Sequence, residues 1–88
     1  MNGLTKKDMM LKFMLKEFSD DIVKYEYLAN GKTNSSGEVV LDRSTGVITI
    51  SKLADIDTSG WFAGHLVSKM VEFRDAGVFE DSGELIWY

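Results

Sequence analysis

The sequence predicts a two-layer α+β domain with elements in the order α-β-β-β-α-β. Three patterns predict it: apolar residues at helical spacing in 9–18 and 61–76, strict alternation in 22–29, and two apolar runs that flank a turn at 42–46. We expect a three-stranded antiparallel meander, plus a short C-terminal strand, covered on one face by two helices. With 88 residues, the chain has room for one domain, spanning 1–88.

The first element, MMLKFMLKEF, is predicted to be an amphipathic helix. Lys12 and Lys16 form a narrow polar stripe, and most of the other positions are apolar. This apolar arc is wider than the roughly 100° that packing on one sheet requires. We therefore expect Met9 and Phe13, on one flank, to contact a second surface. That surface is either the other helix or the same helix of a symmetric partner in a homodimer.

The next three elements are predicted to be antiparallel strands. Residues 22–29, IVKYEYLA, alternate with a period of two, which is typical of a half-buried strand. Residues 38–53 predict a β-hairpin, in which Asp42 starts the turn and Gly46 takes the positive φ that closes it. The pairs expected on the covered face join Val39 and Leu41 to Ile48 and Ile50.

The fifth element is predicted to be a helix that runs from Trp61 to Ala76 and ends at Gly77. On a helical wheel, His65 and Lys69 fall with Trp61 on the exposed side. The sheet-facing positions are Phe62, Ala63, Leu66, Val67, Met70 and Phe73. After a short turn, the final residues ELIWY are predicted to form the C-terminal strand, whose place in the sheet the pattern leaves open.

In their order, the first five predicted elements resemble the double-stranded-RNA-binding domain. The resemblance is topological, because SGWFAGH, at the start of the second helix, contains none of the basic residues that this fold needs there. It therefore implies a fold and no function. The net charge of −4 also disfavours nucleic acid as a partner, since Lys and Arg must neutralise phosphates for such binding.

Composition excludes further classes of protein. No stretch approaches the roughly 18 consecutive apolar residues that cross a bilayer, so we expect no membrane insertion. The chain contains no cysteine, which excludes disulfides and thiolate metal sites and agrees with a cytoplasmic location. Ten basic residues against fourteen acidic ones make a basic protein the more suitable partner.

The segment DIDTSGWFAGH, residues 55–65, holds the residues that most resemble a chemical site. Its first six residues match the opening of an EF-hand calcium loop, in which position twelve must be a bidentate glutamate. That position is Leu66 here, so we expect no metal ion. We expect instead that Asp57, Thr58 or Ser59 caps the second helix by accepting its free backbone N–H groups.

His65 is the only histidine of the chain and is predicted to lie on the exposed side of the second helix. A general base needs a partner that positions it and a pocket that adjusts its pKa. We therefore expect no catalytic residue and no cofactor. The alternative hypothesis is a small enzyme or ligand-binding protein that uses Asp55 and Asp57 with His65, which requires a concave pocket that brings these groups together.

The sequence thus favours a small acidic interaction domain, such as an inhibitor or immunity-like partner of a basic protein. Tryptophan and tyrosine are frequent at binding hot spots, and methionine forms adaptable contact surfaces. The candidate interaction residues are Met9, Phe13, Trp61, His65, Lys69, Trp87 and Tyr88.

Overall fold

The computed structural model describes residues 9–30 and 35–87 and shows one helix packed on a five-stranded antiparallel sheet. The strands lie in the order β4-β3-β2-β1-β5, so that β4 and β5 are the edges. The α+β class is confirmed, whereas the number of helices and the element order differ from the prediction. The elements are β1 (Met9–Phe18), β2 (Ile22–Ala29), β3 (Ser36–Asp42), β4 (Ile48–Lys52), α1 (Trp61–Ala76) and β5 (Ser82–Trp87).

The predicted first helix is wrong, because residues 9–18 form strand β1, which pairs with β2 on one side and β5 on the other. Leu11 and Phe13 alternate toward the core, while Met10 and Met14 occupy the opposite face. Methionine at these two open-face positions hides the alternation, and Met, Leu and Lys all favour helices in isolation. The resemblance to the double-stranded-RNA-binding domain ends at this element, since β1 replaces its first helix.

The other predicted elements agree closely with the structure. Strand β2 spans the predicted residues with strict alternation of buried and half-buried side chains. In the hairpin, Val39 pairs with Ile50 and Leu41 with Ile48, as predicted. Helix α1 has the predicted bounds, and its C-cap Gly77 adopts a left-handed conformation with φ 73°.

The core lies between α1 and one face of the sheet. The Phe13 ring stands edge-on to Tyr25 at 5.5 Å between centroids and lies 5.9 Å from Phe73 of α1. The helix has few contacts with β5, whose Leu85 is only partly buried. The buried apolar residues are Leu11, Phe13, Val23, Tyr25, Tyr27, Ala29, Val39, Leu41, Ala54, Phe62, Ala63, Leu66, Met70 and Phe73.

One row of the core crosses four strands, with a glycine at each end and two aromatic residues between them. Phe13 is the cross-strand partner of both Tyr27 and Gly83, and Tyr27 also pairs with Gly37. A Cβ atom on Gly83 would lie 2.7 Å from the Phe13 ring, and one on Gly37 would overlap the Tyr27 ring. Each aromatic ring therefore covers a neighbouring glycine, and both glycines are required by close packing.

The opposite face of the sheet carries a lattice of ion pairs. Lys12 lies 3.8 Å from Glu84, Lys16 the same distance from Glu26, and Lys24 the same distance from both Glu17 and Glu38. This pattern is typical of an antiparallel sheet with one solvated face. Its three lysines offset all but one of its four glutamates, so most of the excess negative charge of the protein lies elsewhere.

Candidate functional site

The segment before α1 owes its conformation to Asp57, which is only 2% exposed. Its Oδ1 atom accepts the backbone N–H of Phe62 at 3.0 Å, and its Oδ2 atom accepts that of Ala63 at 2.9 Å. The carboxylate thus satisfies two of the free N–H groups at the start of the helix. The N-cap position itself is Gly60, and Asp57, three residues before it, supplies the acceptor oxygens that the sequence predicted for one of three residues.

The Tyr27 hydroxyl completes this buried network. It donates to Asp57 Oδ2 at 2.6 Å and accepts the backbone N–H of Ala54 at 3.0 Å. Burial and the hydrogen bond to Asp57 raise the pKa of Tyr27 well above its ordinary value. One tyrosine of β2 therefore ties the sheet to the loop and, through the carboxylate, to α1.

These hydrogen bonds bear on the hypothesis that Asp55 and Asp57 act together with His65 in catalysis or ligand binding. Both Asp57 oxygens already accept protein donors, and Asp55 lies exposed in the same loop. A catalytic or ligand-binding role for Asp57 would compete with these three hydrogen bonds. Within residues 9–30 and 35–87, no group of three His, Asp or Glu side chains is arranged to hold a metal ion.

Three of the predicted interaction residues lie together along one flank of α1. Trp61 is 51% exposed, and its ring centroid lies 5.9 Å from that of His65 one turn later. His65 and Lys69 continue this flank and form one wall of a groove of about 220 Å³ between α1 and β5. The other residues of the groove are Ser68, Glu72, Leu85 and Ile86.

The remaining predicted interaction residues have other positions. Phe13 is 1% exposed and its ring lies 5.9 Å from that of Phe73 in α1, so the second surface that it contacts is the other predicted helix, which is the internal one of the two alternatives. The predicted homodimer through the first helix is not supported, because that segment is an internal strand of the sheet. Met9 and Trp87 are paired in β1 and β5, but their side chains and all of Tyr88 lie outside the described residues.

An acidic surface lies at the end of the sheet where β1 meets β2 and where α1 ends. We call it the acidic end and define it by six carboxylates on its loops and element ends, which lie near the guanidinium groups of Arg43 and Arg74. The six are Asp20, Asp21, Asp42, Asp75, Glu80 and Asp81. They come from four separate segments, so no run of charge in the sequence reveals them.

The two arginines of the acidic end mainly hold its loops together. Arg43 donates to the carbonyl oxygen of Ser19 at 2.7 Å, and Arg74 donates to that of Gly46 at 2.7 Å and to Asp75 at 3.2 Å. In contrast, Asp20, Asp21, Glu80 and Asp81 form no ion pair with any residue that the structure describes. Their negative charge is therefore directed to solvent.

Asp42 also remains charged at this end. Its Oδ1 atom accepts the hydroxyl of Ser44 at 2.7 Å and the N–H groups of Ser44 and Thr45. The hydrogen bonds from Ser44, and that from Thr45, lower the pKa of Asp42 below its ordinary value. The turn that follows β3 is thus built around an ionised carboxylate.

Apolar side chains are exposed among these carboxylates. Phe18 is 55% exposed and Val78 is 65% exposed. The Phe18 ring contacts Phe79 at 5.7 Å between centroids, and the Arg43 guanidinium lies 4.8 Å from the Phe18 centroid. The acidic end therefore combines carboxylates that pair with no residue in the described part of the chain with exposed aromatic and aliphatic side chains.

Comparison with known proteins adds no assignment to this geometry. No family model, no curated protein and no solved structure matches the chain. The part of the chain that the structure describes also contains no helix long and apolar enough to cross a membrane.

The acidic end is joined to the core through Tyr25, which predicts how stability depends on pH. The Tyr25 hydroxyl donates to the backbone carbonyl oxygen of Glu80. Burial, with the nearby Glu80 and Asp81 carboxylates, raises the pKa of Tyr25 to about 12 from an ordinary value of 10.0. Because the folded pKa is the higher one, this stabilisation is fully present below pH 10 and is lost as pH rises through 12.

We therefore expect the free energy of unfolding to fall between pH 10 and 12, and to fall less steeply in Tyr25→Phe. Urea denaturation over this range measures both slopes. The two proteins contain the same lysines, so lysine titration affects them equally. Equal slopes would show that the Tyr25 hydroxyl does not carry the pH dependence.

Proposed function

We propose that this protein is an interaction domain that binds a basic protein through its acidic end. One observation carries the proposal: four exposed carboxylates without an ion pair to any described residue each follow the exposed Phe18 or Val78 by two or three residues in the chain. Exposed charge of one sign attracts a partner of the opposite sign and accelerates association. The apolar side chains supply the contact area that desolvates the interface core.

The chemistry of the site defines the partner further. A surface with Lys or Arg around one or two apolar side chains would pair with the carboxylates and cover the Phe18 ring. Arg43, which already lies against this ring, restricts its motion. An aromatic anchor that is held in place before binding loses little conformational entropy in the complex. The same geometry is suited to an inhibitor or immunity-like protein that covers a basic surface of its target.

The test uses a lysine-rich peptide with two central leucines as the probe, and the same peptide with Glu in place of Lys as the negative probe. We expect the lysine-rich peptide to bind and the glutamate-rich peptide not to bind. The affinity for the lysine-rich peptide should fall as salt is added. The variant D20N/D21N/E80Q/D81N should weaken binding by about thirtyfold, because four exposed ion pairs at roughly 0.5 kcal/mol each are lost. Isothermal titration calorimetry measures these affinities.

A matched control removes the same number of charges from the open face of the sheet, in E17Q/E26Q/E38Q/E84Q. It should retain the peptide affinity of wild type within about threefold, since only long-range attraction is reduced. Phe18→Ala should weaken binding without changing the salt dependence. Equal losses in the two charge variants would mean that net charge alone binds the peptide, and the proposed site would then be wrong.

We do not propose the alternative function based on Asp55, Asp57 and His65. The Asp57 carboxylate accepts the Phe62 and Ala63 N–H groups and the Tyr27 hydroxyl. Its displacement would uncap α1 and leave buried donors without acceptors, which is a large cost for a chain of this size. The local structure therefore favours a structural role for Asp57.

A further inference from the structure

Strand β5 is an edge strand whose pairing with β1 is regular over its whole length. The register runs from Met9–Trp87 to Met14–Ser82 without a shift. Its single charged residue, Glu84, already forms an ion pair with Lys12 of β1. A regular edge strand of six residues without lysine, proline or a bulge is a template for pairing with another strand.

The direction of the free backbone groups follows from two hydrogen bonds. Leu15 N–H donates to the carbonyl oxygen of Asp81, and Asn30 N–H donates to that of Met10. Because the two sides of an antiparallel strand alternate, the N–H and C=O groups of Gly83 and Leu85 point toward β1. Those of Ser82, Glu84 and Ile86 therefore point away from the sheet.

The opposite edge of the sheet lacks these features. Strand β4 has only five residues, and its register with β3 shifts between Glu38 and Val39. It also ends at Lys52, and both a bulge and an edge lysine discourage pairing with another chain. Strand β4 thus has two features that discourage pairing with another chain, a register shift and a lysine, and β5 has neither.

We propose that β5 pairs with β5 of a second copy of this chain, in an antiparallel two-fold dimer centred on Leu85. This register places Glu84 opposite Ile86 of the copy, and it joins the two sheets into one of ten strands. A register centred on Glu84 would place two carboxylates directly opposite each other, which is destabilising. The Leu85 register instead brings together two partly buried leucines at the floor of the groove beside α1.

Charge also favours this arrangement. Strand β5 starts beside Glu80 and Asp81, at the acidic end. Antiparallel pairing places the two acidic ends of the dimer at opposite ends of β5, where they do not repel each other. The dimer covers part of Ile86, which is 57% exposed in one copy, and leaves Phe18 accessible. The proposal is therefore independent of what the acidic end binds.

Single cysteine variants test the register, because the natural chain contains no cysteine. In the proposed dimer, the two Leu85 positions form a non-hydrogen-bonded pair with Cα atoms about 4.5 Å apart. A disulfide accepts this distance. Each Glu84 lies opposite residue 86 of the copy, two residues along the strand from the other Glu84. The Cα atoms of the two Glu84 residues are therefore roughly 8–9 Å apart, which is too far for a disulfide. Under mild oxidation, we expect Leu85→Cys to form a covalent dimer and Glu84→Cys to stay uncrosslinked.

Sedimentation equilibrium tests the interface without oxidation. We expect a concentration-dependent dimer for wild type and a folded monomer for Ile86→Glu, which would place a second carboxylate directly opposite Glu84 of the copy at both symmetric positions. The matched control Thr49→Glu, on strand β4, should remain a dimer. A monomeric wild type, a dimer that Ile86→Glu does not disturb, or preferential crosslinking through Glu84→Cys would each overturn the proposal.

Discussion

Asp57→Ala should lower the free energy of unfolding by about 3–5 kcal/mol. The substitution removes the acceptor of the Phe62 and Ala63 N–H groups and of the Tyr27 hydroxyl. Loss of a helix cap costs about 0.5–2 kcal/mol, and each buried donor left without an acceptor costs about 1–3 kcal/mol. Native domains are stable by roughly 5–15 kcal/mol, so the variant should be close to unfolding. Urea denaturation followed by circular dichroism measures the loss.

Three variants separate this effect from general damage to the loop. Asp55→Ala, at an exposed position of the same loop, should change stability by less than about 0.5 kcal/mol. Asp57→Asn should have an intermediate effect, because it keeps one acceptor oxygen. Tyr27→Phe and Asp57→Ala should be non-additive when combined, since both remove the same bond. If Asp57→Ala is no more harmful than Asp55→Ala, the buried network contributes little to stability.

Gly37→Ala should destabilise the fold by about 3 kcal/mol, at the upper end of the usual cost of overpacking. The added methyl group would overlap the ring of Tyr27. This ring cannot rotate away easily, because its hydroxyl is bonded to Asp57 and to the Ala54 N–H. Thermal and urea denaturation measure the change.

Two other glycines provide the comparison. A methyl group added at Gly64 of α1 would have no atom within 4 Å, so Gly64→Ala should stabilise the protein by about 0.5–1 kcal/mol. Gly83→Ala should destabilise it by less than Gly37→Ala, because the Phe13 ring that covers Gly83 has no hydroxyl to hold it. A Gly37→Ala protein with wild-type stability would show that the Tyr27 ring has room to move.

The candidate site was only partly predictable. Helical periodicity placed Trp61, His65 and Lys69 on one flank of α1 without knowledge of the rest of the chain, although of these three Trp61 is exposed and the other two are half-buried. The acidic end was not predicted. Its carboxylates lie far apart in the sequence, and only the sheet brings the loop with Asp20 and Asp21 beside Glu80 and Asp81. The signal that the sequence offered for this surface was the net charge of −4, and a net charge does not show where on the protein the carboxylates lie.

By itself, the sequence determined the elements whose side-chain pattern is unambiguous. Strict alternation defined β2, a turn with Gly46 defined the β3–β4 hairpin, and a periodic apolar face with Gly77 after it defined α1. In these segments, local propensity and burial agree, so short-range information is sufficient. The class of the fold follows from them.

Only the tertiary structure decided that residues 9–18 form a strand and that β5 pairs with β1 at the edge of the sheet. The first segment contains residues that favour a helix and has apolar side chains on both faces, so its local energy does not select a strand. Residues 9–18 form a strand because β2 pairs with one of their edges, and β5, from the C-terminal part of the sequence, pairs with the other. Backbone hydrogen bonds on both sides and burial of Leu11 and Phe13 then outweigh the intrinsic preference.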